Sequence, residues 1–178
     1  MTLFSKSLLA TAVLGSVLVV SAAAADTAKE EATEPDNKEL QLKACGPSNK
    51  EVNFSADTDK KAHPTAVAAA DKAIIYVLRP TLTGNKIQTK LAVDGQWKGV
   101  NRGNNYFFFT LDPGEHYFCS EAENHSVLTL KVEAGKTYYL QQHIRMGVMK
   151  ARNKLETMAE EEGSKKLSDL HPSTWTVK

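Results

Sequence analysis

Five histidines, two cysteines and one run of glutamates are the side chains through which this 178-residue chain could do chemistry. The imidazoles are His63, His116, His125, His143 and His171, and none is paired at the one-, three- or four-residue spacing that puts two metal ligands on one face. No Asp/Glu cluster accompanies them, so a metal would have to draw its ligands from distant strands. His116, His125 and His143 are the residues on which a hydrolase-like or metal-assisted site assembled from separate loops would rely. Nucleophilic catalysis finds no G-x-S-x-G elbow. The stretch "RGNN" lacks the lysine and the following helix of a phosphate loop. Glu160, Glu161 and Glu162 read as the solvated start of a helix. The sequence therefore nominates no catalytic residue, no metal ligand and no cofactor.

Binding chemistry has one candidate. "GQWKGVNRGNN" brings Trp97, Lys98, Asn101, Arg102, Asn104 and Asn105 close together. An aromatic face can stack on a sugar or peptide while the amides donate and accept. The competing and favoured reading packs Trp97 on a sheet edge and leaves the polar residues to solvate a turn.

The cysteines take their meaning from the start of the chain. Residues 1–25 carry one charge, Lys6, ahead of the apolar run "LLATAVLGSVLVV", and end in Ala23-Ala24-Ala25 before Asp26. A basic start, a short apolar stretch and a small-x-small exit make a secretory signal peptide, with cleavage between Ala25 and Asp26. The apolar run is shorter than the roughly 20 residues a bilayer span needs. No cysteine stands at the cleavage position, so no lipid anchor is predicted there. The exported chain would meet an oxidising compartment, periplasmic or extracellular, where Cys45 and Cys119 read as one disulfide. The whole chain has 22 basic and 21 acidic residues. That balance offers no field to draw nucleic acid or anionic lipid.

The elements that must position these residues are mostly strands. "DTAKEEATEPDNKELQLKA", residues 26–44, is charged and lacks aromatics, which predicts a flexible or weakly helical linker. Residues 45–72 follow as a segment tethered through Cys45, with Val52 and Phe54 alternating like a short strand. A β-sandwich domain is expected over 73–178. "AIIYVLRP" is a continuous apolar, β-branched run, the mark of a strand buried on both faces. "KIQTKLAV" alternates with period two, placing Lys86, Gln88 and Lys90 on the wet face. Asp94-Gly95 predicts a tight hairpin turn. "FFFTLDPGEHYFC" predicts a core hairpin around Asp112-Pro113-Gly114, its aromatics facing one another across the strands. "HSVLTLKVEA" and "TYYLQQHI" alternate as two more strands. Thr157 and Glu160 form a T-x-x-E capping box for a helix at about 158–170, and "STWTVK" is a tail able to dock through Trp175. Six or seven short strands with closely spaced turns indicate a mainly β fold, a small antiparallel sandwich of immunoglobulin-like or transthyretin-like kind.

Several of these stretches occur together elsewhere. "ACGPSNKEVNFSADTDKKAHP", "KAIIYVLRP", "VDGQWKGVNRGNNYFFFTLDPGEHYFCSEAE", "VEAGKTYYL" and "STWTVK" resemble bacterial envelope proteins of the domain-of-unknown-function family 2846 (DUF2846), over about Cys45 to Lys178. The resemblance implies a compact exported β-domain, with family cysteines at the positions of Cys45 and Cys119. It brings no catalytic residues. The expectation is a non-enzymatic binding or scaffolding module of the cell envelope with a protein or glycan partner, and an enzyme is the alternative.

Overall fold

A computed structural model describes residues 38–46, 53–67, 69–81, 83–146 and 151–177. All fall in one compact unit, Glu31–Lys178. The expected signal peptide, its cleavage position at Ala25 and Asp26, and the linker up to residue 37 lie outside the described residues. The elements in chain order are α1 (Lys38–Cys45), β1 (Phe54–Thr58), β2 (Ala73–Arg79), β3 (Thr89–Val93), β4 (Gln96–Asn101), β5 (Asn105–Leu111), β6 (Gly114–Glu121), β7 (His125–Val132), β8 (Thr137–Met146), β9 (Ala151–Met158), α2 (Glu160–Leu167) and β10 (His171–Val177).

The strands form two sheets, ordered β1-β10-β5-β2-β8-β9 and β4-β3-β6-β7. The mainly β, sandwich-like arrangement is the one the strand pattern predicts. It is not wholly antiparallel, because β2 runs parallel to β8 and β10 runs parallel to β5. No local pattern announces a pairing between strands so far apart in sequence.

β2 is buried along its whole length, and its two faces do separate work. Ile75 and Val77 enter the core between the sheets with Leu91, Val93, Phe107, Phe118, Leu128 and Leu140. Ile74, Tyr76 and Leu78 face outward, under Leu167 and Leu170 from the α2 end of the chain. Burying such side chains stabilises the fold by about 1.5–3 kcal/mol each, which is why a strand with no polar face can sit only at this position.

The stretch from Phe107 to Cys119 is not a hairpin. β5 pairs with β2 and β10, while β6 pairs with β3 and β7. The turn at Asp112-Pro113-Gly114 therefore carries the chain from one sheet to the other. The expected alternation still holds: Phe107 and Leu111 point into the core, and Tyr106 and Phe108 point to the opposite face. Phe107 and Phe118 enter the same core from opposite sheets instead of facing each other along one ladder.

At the β3–β4 turn, Asp94 (φ 50°) and Gly95 (φ 77°) both adopt left-handed backbone, as a two-residue turn of this twist demands. The helix after β9 starts later than expected. Its N-cap is Ala159, without a side-chain cap. Thr157 is occupied as a strand residue opposite Leu140, so the capping box does not form. The tail is a strand: β10 pairs with β1 along its length, and Trp175 packs edge-on against Phe107 with ring centroids 5.3 Å apart.

The last residues of the charged linker are helical, as α1 (Lys38–Cys45). An eight-residue helix is marginal alone, so α1 owes its order to what it touches. Ala44 and Cys45 are buried against Ala92 and Cys119. Cys45 is disulfide-bonded to Cys119, and the Gly95 N–H donates to the Ala44 carbonyl at 2.9 Å. The segment after β1 is strapped across the same six-stranded sheet, to β2 and β5. The Tyr76 hydroxyl accepts from the Ala66 N–H at 2.8 Å, and the Tyr106 hydroxyl donates to the Pro64 carbonyl at 3.1 Å.

Candidate functional site

The residues nominated from "GQWKGVNRGNN" do not form one surface. Asn101 and Asn105 are wholly buried. Asn101 Nδ2 donates to the Val77 carbonyl and to Gln142 Oε1, both at 3.1 Å. Asn105 Nδ2 donates to the His171 carbonyl at 3.1 Å and to Thr58 Oγ1 at 3.0 Å, tying β5 to β10 and β1. Arg102 donates to the Ala56 carbonyl at 3.3 Å, and Asn104, at positive φ, accepts from the Thr81 N–H at 3.2 Å. Lys98 reaches only Gln96, at 3.4 Å. Trp97 is half-buried against two small clusters, one with Ala92 and Cys119 and one with Phe54 and Val100. The polar residues of this stretch are joints of the fold.

A surface with room for a ligand lies next to it. A polar cleft of about 360 Å³ is lined by Asn53, Phe54, Lys86, Gln88, Lys90, Glu121 and Ala122, a volume within the range of small-molecule sites. Lys86, Gln88 and Lys90 come from the wet face of the strand pattern. Asn53 and Phe54 come from the start of β1, and Glu121 ends β6.

Three contacts fix the charged wall. Lys90 Nζ lies 3.1 Å from Glu121 Oε1, both side chains largely buried. The same ammonium sits over the Trp97 ring, 4.9 Å from its centroid. Glu121 Oε2 is buried and lies 3.5 Å from His125 Nε2, with no donor nearer than that among the described residues. Burial alone would raise the Glu121 carboxyl pKa, but His125 and Lys90 outweigh it and hold the group below its ordinary value. Gln41 of α1 donates to His125 Nδ1 at 3.0 Å, so the disulfide-tethered helix backs the same wall.

The loop carrying Lys86 and Gln88 is held from inside. Arg79, at the end of β2, is wholly buried. It donates from Nη1 to the Ile87 carbonyl at 2.7 Å and from Nη2 to the Gly84 carbonyl at 3.0 Å. Burial pulls its pKa down to about 10, which leaves it a cation at neutral pH with carbonyls, not a carboxylate, as partners. Behind it lies a buried polar layer. Gln142 Oε1 accepts from Thr89 Oγ1 at 3.0 Å, Gln142 Nε2 donates to Ser120 Oγ at 2.9 Å, and Asn153 Nδ2 donates to the Ser120 carbonyl at 2.7 Å. These bonds cross between the two sheets and fix β3 and β6 under the cleft.

The histidines do not converge. His116 Nδ1 lies 2.6 Å from Asp94, His125 is beside Glu121, and His143 Nε2 lies 3.0 Å from Glu156 on the other sheet. His63 and His171 stand apart from these, with ring centroids 5.5 Å apart. Among the described residues no group of three His, Cys, Asp or Glu could hold a metal ion. Among the described residues the cleft is lined by ammonium, amide and carboxylate groups, with no hydroxyl or thiol nucleophile. It can hold a ligand by charge and hydrogen bonds.

Comparison with known proteins adds a family pattern and no chemistry. Residues 69–154 match the family model described as "Protein of unknown function (DUF2846)". The match is narrower than the resemblance over Cys45 to Lys178, and it contains Cys119 but not Cys45. An uncharacterized protein of Haemophilus influenzae (strain ATCC 51907 / DSM 11121 / KW20 / Rd) is 33% identical over 98 residues, covering 54% of this chain and 58% of that protein. The matched stretch thus spans a little over half of this relative's length. No solved structure gives a match. Among the described residues no helix is long and apolar enough to cross a membrane.

Proposed function

We propose that this chain, with the DUF2846 pattern at its centre, is an exported binding or scaffolding module of the cell envelope. It is not an enzyme, and it engages a protein or glycan partner through the cleft bounded by Lys86 and Glu121. The observation that carries the reading is the cleft itself: side chains from separate segments converge on it, hydrogen-bonding groups line it, and no nucleophile stands beside a base. Export is supported by the pattern of residues 1–25 and by the Cys45–Cys119 pair, since a lasting disulfide belongs to an oxidising compartment. The working location is the periplasm or the exterior.

The test is crosslinking of the tagged protein in cells at native expression, followed by mass spectrometry and N-terminal sequencing. The expected result is a mature chain starting at Asp26 and a recurrent envelope partner. Its recovery should fall about tenfold in Lys86→Glu, which reverses a cleft lysine that has no acidic partner among the described residues. A chain that keeps Met1, with both thiols free, would overturn export. Partners recovered equally with the Lys86→Glu variant would overturn the site.

A further inference from the structure

We infer that the far end of the β8–β9 pair docks on an anionic phospholipid surface, with Arg145 and Arg152 as its contacts to lipid phosphates. This is a second surface, and it does not use the cleft. In the β8–β9 ladder Arg145 stands directly opposite Arg152, His143 opposite Lys154 and Gln141 opposite Glu156. Alternation puts all six on the face that carries Tyr139 and lies under the α2 end of the chain, away from the core. Like charges directly opposite one another destabilise a ladder, and both arginines are exposed. The carboxylates nearby are already taken. Glu156 meets Lys154 at 2.6 Å and His143 at 3.0 Å, and Glu162 meets Lys166 at 2.8 Å. Neither Arg145 nor Arg152 has an acidic group within ion-pair reach among the described residues. His143 feels the surplus: burial lowers its pKa, Glu156 opposes, and Lys166, Arg145 and Lys154 add to the lowering. The whole chain is nearly balanced at 22 basic against 21 acidic residues, yet His143 to Leu155 holds four Lys or Arg and no acidic residue.

The surroundings of the pair select the partner. A peptide is held by adding a strand to an open sheet edge or by inserting apolar anchors. β9 is the last strand of its sheet, but its edge is occupied. Asn124 Oδ1 accepts from the Asn153 N–H at 2.6 Å, Asn124 Nδ2 donates to the Asn153 carbonyl at 2.9 Å, and Ser126 Oγ accepts from the Leu155 N–H at 3.0 Å. Among the described residues no large apolar side chain of β8 or β9 is exposed. A small free anion would gain little from guanidiniums that stand open to solvent. A lipid surface needs neither edge nor pocket. It presents many phosphates at once, each Lys or Arg near it adds to the attraction, and the guanidinium fork matches phosphate oxygens.

The test is flotation of the full mature chain, disulfide intact, with vesicles of phosphatidylcholine alone and of phosphatidylcholine mixed with phosphatidylglycerol. The chain should bind the mixed vesicles only, and less as salt rises. Arg145→Ala with Arg152→Ala should weaken binding about thirtyfold, roughly fivefold for each charge, whereas Arg145→Lys with Arg152→Lys should keep most of it. The denaturation midpoint of the alanine variant should equal or exceed that of the wild type, because a like-charge pair is removed, so its loss of binding is not a loss of fold. Equal binding to neutral and anionic vesicles, unchanged binding of the alanine variant, or binding to neither overturns the lipid surface. Capture of polyglutamate through Arg145 and Arg152, with both kinds of vesicle left unbound, also overturns it and assigns the face to an acidic protein.

Discussion

His116 shows how much one side chain can join. Its Nδ1 lies 2.6 Å from Asp94 Oδ2 and its Nε2 lies 2.9 Å from the Asp112 carbonyl. Both partners are acceptors, so both ring nitrogens must donate, and the ring is an imidazolium that clips the β3–β4 turn to the β5–β6 crossover. Burial works against that charge, but the hydrogen bonds to Asp94 and Asp112 prevail and raise the pKa above its ordinary 6.5. The charges that act on it are the Asp94 and Asp112 carboxylates, and Asp112 in turn is paired with Lys72. A raised folded-state pKa means the clip is fully present below about pH 6.5 and is lost as pH rises through the folded value. His143 is shifted the other way, chiefly by burial, so the clip is best isolated as a difference. The denaturation midpoint of the wild-type chain minus that of His116→Ala should shrink steadily above pH 6.5. A difference constant from pH 6 to pH 9 would show that the ring contributes by packing alone. At this scale the sequence was a poor guide. The nominated amides Asn101 and Asn105 are buried joints, whereas Lys86, Gln88 and Lys90 had been visible only as the wet face of an alternating strand. Period two tells which side of a strand is wet; it carries no information on which distant residue, here Glu121, will stand opposite.

Elements obey the same division between local and non-local. β2, the Asp94-Gly95 turn and the alternation of β7 and β8 are written in runs of ten residues or fewer, and the structure follows them. The Phe107–Cys119 stretch failed as a hairpin because the turn residues specify a reversal and not which sheet each arm joins. Thr157 failed as a cap because pairing with β8 claimed it first. The glycine at the centre of α2, which weakens the helix intrinsically, is explained only by packing. A Cβ on Gly163 would lie 2.2 Å from the Tyr139 ring, and that ring stacks on Tyr76 at 5.3 Å. Gly163→Ala should therefore destabilise the protein although alanine is the better helix former, by about 1–3 kcal/mol as overpacking does. Tyr139→Ala in the same chain should relieve part of that loss. Chemical denaturation of the two single variants and the double variant checks this, and strict additivity would mean that α2 does not sit on Tyr139.

For the molecule as a whole, the question is what binds the N-terminal helix to the sheets. The Cys45–Cys119 disulfide closes a 74-residue separation, worth up to about 4 kcal/mol through loss of unfolded-state entropy. Its local effect is larger than that figure conveys. α1 touches the four-stranded sheet through Ala44 and Cys45 and reaches the cleft through Gln41 and His125, while Leu42 stays half-exposed. An eight-residue helix with so small a buried face has little to hold it once the covalent bond is gone. The sheets, by contrast, are closed by a core to which α1 contributes nothing. Cys45→Ser with Cys119→Ser should then give a chain that keeps its far-ultraviolet β signature and a cooperative transition at lower denaturant. Trypsin should cut it at Lys38 and Lys43, where the disulfide-bonded protein resists. Ligand binding should weaken as well, because His125 loses Gln41 and the Glu121 wall loses its backing. If trypsin cuts both forms alike and binding is unchanged, the helix is held by Ala44 and the Gly95 hydrogen bond, and the disulfide acts on the unfolded chain alone.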